Sequence, residues 1–378
     1  MQFKIGAEVL SSYVNVVSKV VNAKANLPLL NNVLIDVQSN SLQITGSDLE
    51  VQISTSMQLK PQEVGRTSVN AKLFSQYINS IPKDDTIEIS QAKGLLKVTS
   101  KVGSAEFATR DVEDFPLFEE TDLENLFTLP ADVFSQMVEK TIFACAKDDI
   151  RPILTGINCE IEGEAVNMVA LDTFRLAKIS GVSQVAYVGK KQLVIPAQAM
   201  DNMVRIVKDA FISAITDQQV VTCKLSKNGN FVLLAFGEIK LFARLLDGEY
   251  PAYKAIIPVA HQTEVTITRS TFLESLKRVS VFAQSAIGQK VILTFGEGKL
   301  LMESQVPEVG NIKEEFQVSV EGDPIKIAFQ IKFLTDILSQ ITDDAVVFRA
   351  TTKVAPGVFI QPSLETFLHI LMPLKLDD

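Results

Sequence analysis

The 378-residue sequence has no tryptophan, two histidines and three cysteines, and each shortage removes a class of function. Cys145, Cys159 and Cys223 form an odd set in apolar segments. They read as buried, reduced thiols of a cytoplasmic protein and not as a disulfide framework. His261 falls in a linker-like stretch and His369 in an apolar C-terminal strand, so neither is placed to act as a general base. Metal-ligand spacing is absent. The phosphate-cradling G-x-x-x-x-G-K-[ST] loop and the G-x-S-x-G nucleophile elbow are absent too. FGEGK at 295–299 has the wrong spacing and reads as a hairpin. The acid pairs Asp148-Asp149, Glu314-Glu315 and Asp343-Asp344 read as solvated turns. With no nucleophile, base, metal or cofactor site, a binding protein is expected and an enzyme is not. No uncharged apolar run reaches the roughly 18–20 residues needed to span a bilayer. The opening MQFKIGAEVL is interrupted by Glu8 and lacks the apolar core of a secretory signal. A net charge of −9 argues against nucleic-acid binding through bulk basicity. It leaves room for a protein that confines its cations to one surface.

The sequence does have a repeated pattern. In 127–146, FTLPADVFSQMVEKTIFACA, a short strand (Phe127, Leu129) precedes an amphipathic helix with Val133, Phe134, Met137 and Val138 on its apolar stripe. FKIGAEVLSSYVNVVSKV repeats it near the N-terminus, with Phe3 and Ile5 on the strand and Val9, Leu10, Tyr13 and Val14 on the stripe. VTITRSTFLESLKRVSVFA repeats it again, with Val265 and Ile267 followed by Phe272, Leu273 and Leu276; Lys277 makes this copy the loosest. Intervals above a hundred residues suit three domains and not a solenoid.

Each copy continues in the same order. After the loop 22–28, alternating strands run through NNVLIDVQSNSLQITGSDLEVQIST. A second helix then carries Leu73, Phe74, Tyr77, Ile78 and Ile81 inward and stops at Pro82. The same offsets return as Ala199, Met200, Met203, Val204 and Val207, with Pro196 at the start of that helix. They return once more as Phe333, Leu334, Ile337, Leu338 and Ile341. Each domain therefore reads as helix, strands, helix, strands. The joints FATRDVEDFP (107–116) and FARLLDGEYP (242–251) also match.

Two segments carry a resemblance to a known family. ALDTFRLAK at 170–178 and MPLKL at 372–376 resemble the paired signatures of the bacterial DNA sliding clamp, the beta subunit of DNA polymerase III. NLPLLNNVLI, GSDLEVQI, the R-x-x-L-T-G of Arg151 to Gly156 and DGEYPAYKAIIP agree with it, over the whole chain and in order. The sequence departs from the family at Leu171-Asp172-Thr173-Phe174-Arg175-Leu176, where Thr-Asp-Gly-His-Arg-Leu is usual. It departs also at Lys375, at Pro152-Ile153 and in the tail Asp377-Asp378.

The resemblance implies an α+β protein, three tandem copies of a two-helix, antiparallel-sheet clamp domain at 1–124, 125–256 and 257–378, with helices lining a ring and sheets outside. It implies a non-catalytic, homodimeric processivity factor that slides on duplex DNA without sequence preference. Its partners would be the clamp-loader complex, the polymerase III catalytic subunit, and other polymerases or repair proteins. A triplicated peptide-binding scaffold that encircles nothing is the alternative.

Simple geometry favours two copies. Six helices packed side by side close a circle of about 18 Å across their axes, leaving about 8 Å clear. Duplex DNA is roughly 20 Å wide and would not pass. Twelve helices leave about 25 Å or more, enough to pass it.

The resemblance places a peptide-binding pocket at Leu154, Thr173, Arg175, Leu176, Pro251, Ile256, Phe333, Met372, Pro373 and Leu374. It places the dimer contact at Tyr77, Ile81, Ala105 and Phe107 against Val281 and Phe282 of the partner. Tyr77 and Ile81 fit equally well as core residues of their own helix. Lys24, Lys140, Arg151, Arg205 and Lys208 are the expected DNA contacts, Lys24 and Arg151 in rim loops and the others on outward helix faces that also carry Lys19, Lys72, Arg278 and Lys332. Ordinary solvated helix faces would carry such cations as well.

Overall fold

The computed structural model describes the chain apart from residues 22–27, 119, 121, 149, 213–218 and 377–378. Six α-helices are described: α1 (Ala7–Val17), α2 (Ala71–Ser80), α3 (Ala131–Ile142), α4 (Ala197–Ile212), α5 (Arg269–Ala283) and α6 (Ile331–Gln340). Each begins on the residue after a strand ends, so one strand–helix unit recurs six times. The switch from period 2 to period 3.6 marks every one of these junctions. At α2 the Asn70 side chain accepts the Leu73 N–H at 3.0 Å, satisfying one of the helix's unpaired donors. Pro196 closes the strand Arg175–Pro196 and precedes α4 by one position.

The buried stripes are narrower than the periodicity implies. In α1 the buried set is Ala7, Leu10, Val14, Val16 and Val17, while Val9 is exposed and Tyr13 half-buried. In α2 Phe74 and Ile78 are buried and Leu73 is exposed. A helix lying on one sheet covers only part of its circumference, so the flanking position of each apolar pair is left outside. In α4 both members of each pair are buried, from Ala199 through Val207.

The chain divides into two compact units. The first comprises Met1–Ser135, Ile161–Glu164 and Val182–Leu246; the second comprises Gln136–Glu160, Ala165–Gly181 and Asp247–Asp378. The first is built on a twelve-stranded sheet. In it Val51–Gln58 pairs antiparallel with Ile239–Arg244, Ile53 opposite Leu241, so one ladder runs without a break from the first repeat into the second. In the second unit, Arg175–Pro196 pairs with Phe367–Leu371, Leu176 opposite Ile370. A separate four-stranded sheet carries Gly310–Gln317 on one edge and Ile325–Gln330 on the other.

Phenylalanine supplies much of the packing in the second unit. Phe295, Phe329, Phe348 and Phe359 meet with ring centroids 5.0–6.1 Å apart, and all are fully buried. Each such side chain contributes roughly 1.5–3 kcal/mol by leaving water.

One expectation is corrected here. Glu314 and Glu315 are not in a solvated turn but in the strand Gly310–Gln317, where they pair with Arg278 and Lys299 at 2.8 Å each. FGEGK is a hairpin, with Glu297 and Gly298 at positive φ between paired strands. The cysteines are buried and form no disulfide, and loss of solvation pushes the Cys145 and Cys159 thiols up to about 12. Asp149 and Asp377-Asp378 lie outside the described residues.

Candidate functional site

The second unit holds a cleft of about 270 Å³, and a single turn organises it. Asp172 Oδ1 accepts the backbone N–H groups of Phe174 and Arg175 at 2.8 and 2.9 Å. An aspartate that closes its own turn in this way fixes the direction of the residues after it. The turn leaves Phe174 half in solvent, stacked on Phe333 of α6 at 5.8 Å, and sends Arg175 inward. The Phe174 carbonyl accepts the Met372 N–H at 2.8 Å, tying the turn to the C-terminal segment.

Arg175 is the buried anchor. Its Nε donates to Asp172 at 3.1 Å and its Nη1 to Asp336 at 2.6 Å. Its guanidinium lies 4.5 Å from the Phe333 ring centroid and 5.5 Å from that of Phe143. Two carboxylates and two ring faces occupy the cation, so it shapes the cleft without offering a free charge.

The opposite wall comes from the short turn Pro152–Thr155, in which Leu154 is buried and its carbonyl accepts the Ala146 N–H at 2.9 Å. Ile150, largely exposed, with Lys147, Arg151 and Lys332 completes the rim. The result is an apolar floor under a basic rim, suited to one or two bulky side chains of a short peptide.

The structure brings four of the ten expected pocket residues to this cleft: Leu154, Thr173, Arg175 and Phe333. Leu176 is fully buried beside Arg175 and is not among the residues that line the cleft. Pro251, Ile256, Met372, Pro373 and Leu374 lie outside the lining, although Leu374 is held by its N–H to the Ala328 carbonyl at 2.8 Å. Phe174 and Ile150 are large apolar lining residues outside the expected pocket set. The signal for Phe174 was present, as a large aromatic beside a turn-forming Asp.

The expected cations separate into distinct roles. Lys140 is corrected: its ammonium is buried, donating to the Gln340 carbonyl and to Gln361 Oε1, and lies 5.2 Å from the Phe367 ring centroid. Burial holds its pKa below the usual lysine value, and no phosphate could reach it. Arg151 lines the cleft just described. Arg205 and Lys208 are exposed on α4, Arg205 with an Asp201 partner at 2.7 Å. Lys19 pairs with Asp209 and Arg278 with Glu314, each at 2.8 Å. Lys24 lies outside the described residues.

Two of the open strand edges bear on the expected dimer contact. Gly103–Arg110 pairs fully with Leu95–Ser100 but meets its other neighbour only at Thr109 and Arg110. Gly310–Gln317 pairs on one side alone, with Lys299–Val306. Ala105 and Phe107 are half-buried on the first, and Phe107 packs edge-on against Phe74 and Tyr77 at 5.6 and 5.7 Å. Ile81 is corrected, being buried in its own unit and not presented for contact. Beside the second edge, Val281 is exposed, and Phe282 approaches Gly310 closely enough to touch an added Cβ at 3.3 Å. Open edges of this kind invite pairing with another chain.

A strand–helix unit used six times among the described residues, with open sheet edges and an apolar cleft, defines a repeated binding protein of clamp type. Comparison with known proteins gives the same class. The N-terminal, central and C-terminal domains of the DNA polymerase III beta subunit match residues 1–119, 128–252 and 254–375. The beta sliding clamp of Pseudomonas putida is 26% identical over 381 residues, all of both chains. That of Bacillus subtilis is 24% identical over 387 residues, covering 99% of this chain and all of the relative. The crystal structure of the DNA polymerase III subunit beta from Pseudomonas aeruginosa superposes with a TM-score of 0.90 at 26% identity, covering all of both chains. The chain belongs to the DNA polymerase III beta subunit family.

Proposed function

We propose that this chain is a non-catalytic processivity factor: two copies join head to tail into a ring that encircles duplex DNA and tethers polymerases to it. The observation that carries this reading is the end-to-end match of three successive beta-subunit domains, in order, to one chain. The open edges support the head-to-tail contact. Gly103–Arg110 of one protomer would pair with Gly310–Gln317 of the other, burying Phe107 beside Val281 and Phe282. A heterologous contact used twice closes a ring.

The division at 1–124, 125–256 and 257–378 belongs to the same reading, with one helix pair per domain. Arg205 and Lys208 would meet phosphates, which fix no sequence, so DNA is held by enclosure and slides. The cleft around Phe174 takes a peptide from the polymerase III catalytic subunit, the clamp loader or repair polymerases. The site of action in this reading is the cytoplasm, where the duplex and the polymerase are found.

Retention on DNA tests the ring. Labelled protein loaded onto a nicked circle by a clamp loader should stay bound until the circle is linearised, then run off. Equal release from circle and line would leave only the peptide-binding scaffold. Phe107→Asp should yield monomers by light scattering. Phe174→Ala should weaken a catalytic-subunit peptide by about tenfold in fluorescence anisotropy.

A further inference from the structure

The turn that shapes the cleft of the second unit recurs in the first unit, beside a larger cleft. Asp48 Oδ1 accepts the N–H groups of Glu50 and Val51 at 3.0 and 2.7 Å, as Asp172 does for Phe174 and Arg175. The short turn Pro28–Asn31 precedes its strand just as Pro152–Thr155 precedes Gly156–Leu171. The segment leaving Arg110 corresponds to the one leaving Arg244, as the matched joints 107–116 and 242–251 require. These three pieces enclose about 610 Å³, with Leu29, Leu30, Leu49 and Pro116 supplying the apolar surface.

Leu49 is unusual in two respects. Its φ is +80°, a left-handed conformation that a leucine rarely adopts, and 41% of its surface stays in water. The backbone is thus held in a disfavoured conformation that keeps an apolar side chain out of any core.

The rims of the two clefts carry opposite charge. Among the described residues, Lys147, Arg151 and Lys332 face the exposed carboxylate of Asp148 around one. Asp111 and Asp114 stand with Arg110 around the other, where Arg244 Nε donates to the Leu49 carbonyl at 3.1 Å. Asp114 is exposed and has no ion-pair partner among the described residues.

We propose that the cleft of Leu29, Leu49 and Pro116 is a second peptide-docking site, taking an extended partner segment with two bulky apolar side chains next to a lysine or arginine. The class of occupant rests on reading the Phe174 cleft as a peptide site; its charge preference rests on Asp111 and Asp114. The two clefts then sort partners by sign, acidic segments to one and basic segments to the other.

Two fluorescein-labelled pentapeptides with one apolar centre, Lys-Leu-Phe-Leu-Lys and Asp-Leu-Phe-Leu-Asp, test this on the full chain by anisotropy at low salt. The basic peptide should bind, lose at least about tenfold in affinity with Leu49→Lys, weaken severalfold with Asp114→Lys, and ignore Phe174→Ala. Unchanged circular-dichroism melting of the exposed-site variant Asp114→Lys separates lost docking from lost folding. No binding of the basic peptide, binding indifferent to Leu49 and Asp114, or loss confined to Phe174→Ala would each overturn the second site. An acidic peptide indifferent to Phe174→Ala would count against the first cleft alone.

Discussion

Arg175 reaches Asp336 across 2.6 Å, from a strand in the middle of the chain to a helix 161 residues later. The side chain is buried, and Asp172 and the ring of Phe333 occupy the rest of its surface. A buried guanidinium of this kind is stable only while its partners remain, because the unpaired ion would have to be desolvated without compensation. It therefore holds the C-terminal helix α6 in register with the turn that presents Phe174.

Removing that pairing should be costly. Asp336→Ala is expected to lower stability by about 1–3 kcal/mol, since one charge-assisted bond is lost and the other carboxylate stays. Arg175→Lys should not restore it, because an ammonium reproduces neither the fork to two carboxylates nor the stacking. Urea denaturation measures both. A midpoint unchanged in Asp336→Ala would mean that the pair is incidental to the cleft.

Lys140 makes the opposite point about the expected DNA surface. Replacing it with methionine leaves the Gln340 carbonyl and the Gln361 amide without their donor, a loss of about 1–3 kcal/mol. DNA affinity should nevertheless keep the same dependence on salt, because no phosphate contact has been removed. Arg205→Ala should reduce the slope of log affinity against log salt by about one with little change in stability. If Lys140→Met flattened the salt dependence and Arg205→Ala did not, their assignments would have to be exchanged.

The sequence revealed the repeat and left much of its consequence hidden. Strand–helix junctions were legible because Phe3, Phe127 and Val265 alternate before a 3.6-residue period begins, and all three are fully buried. Which side of each apolar pair faces inward was not legible, since Leu73 and Phe74 are equally apolar and only the sheet beneath α2 distinguishes them. The ladder between Ile53 and Leu241 was invisible for a related reason. Strand partners far apart in sequence leave no local signature. In the cleft, the Asp172 turn could be read from its residue type. The burial of Lys140 could not, because the groups that receive its charge lie 200 and 221 residues away.

His369 gives a pH dependence whose sign is fixed by its surroundings. The imidazole is fully buried, between the rings of Phe143 and Phe359 at 5.3 and 6.5 Å. Neither ring nitrogen has a hydrogen-bond partner among the described residues. Burial first, and then the positive charge of Arg175, lower its pKa from 6.5 to about 3. Between those values the unfolded chain binds a proton that the folded chain refuses, so stability rises with pH across that window and is lost as pH falls below 6.5. At pH 5 the loss relative to neutral pH should be about 2 kcal/mol, from 1.36 kcal/mol for each pH unit. His369→Leu, similar in volume and apolar, should remove that part of the slope while keeping neutral-pH stability within about 1.5 kcal/mol. Urea midpoints of both proteins at pH 7.5 and pH 5 decide the matter. Parallel losses would show that the acid sensitivity comes from other groups.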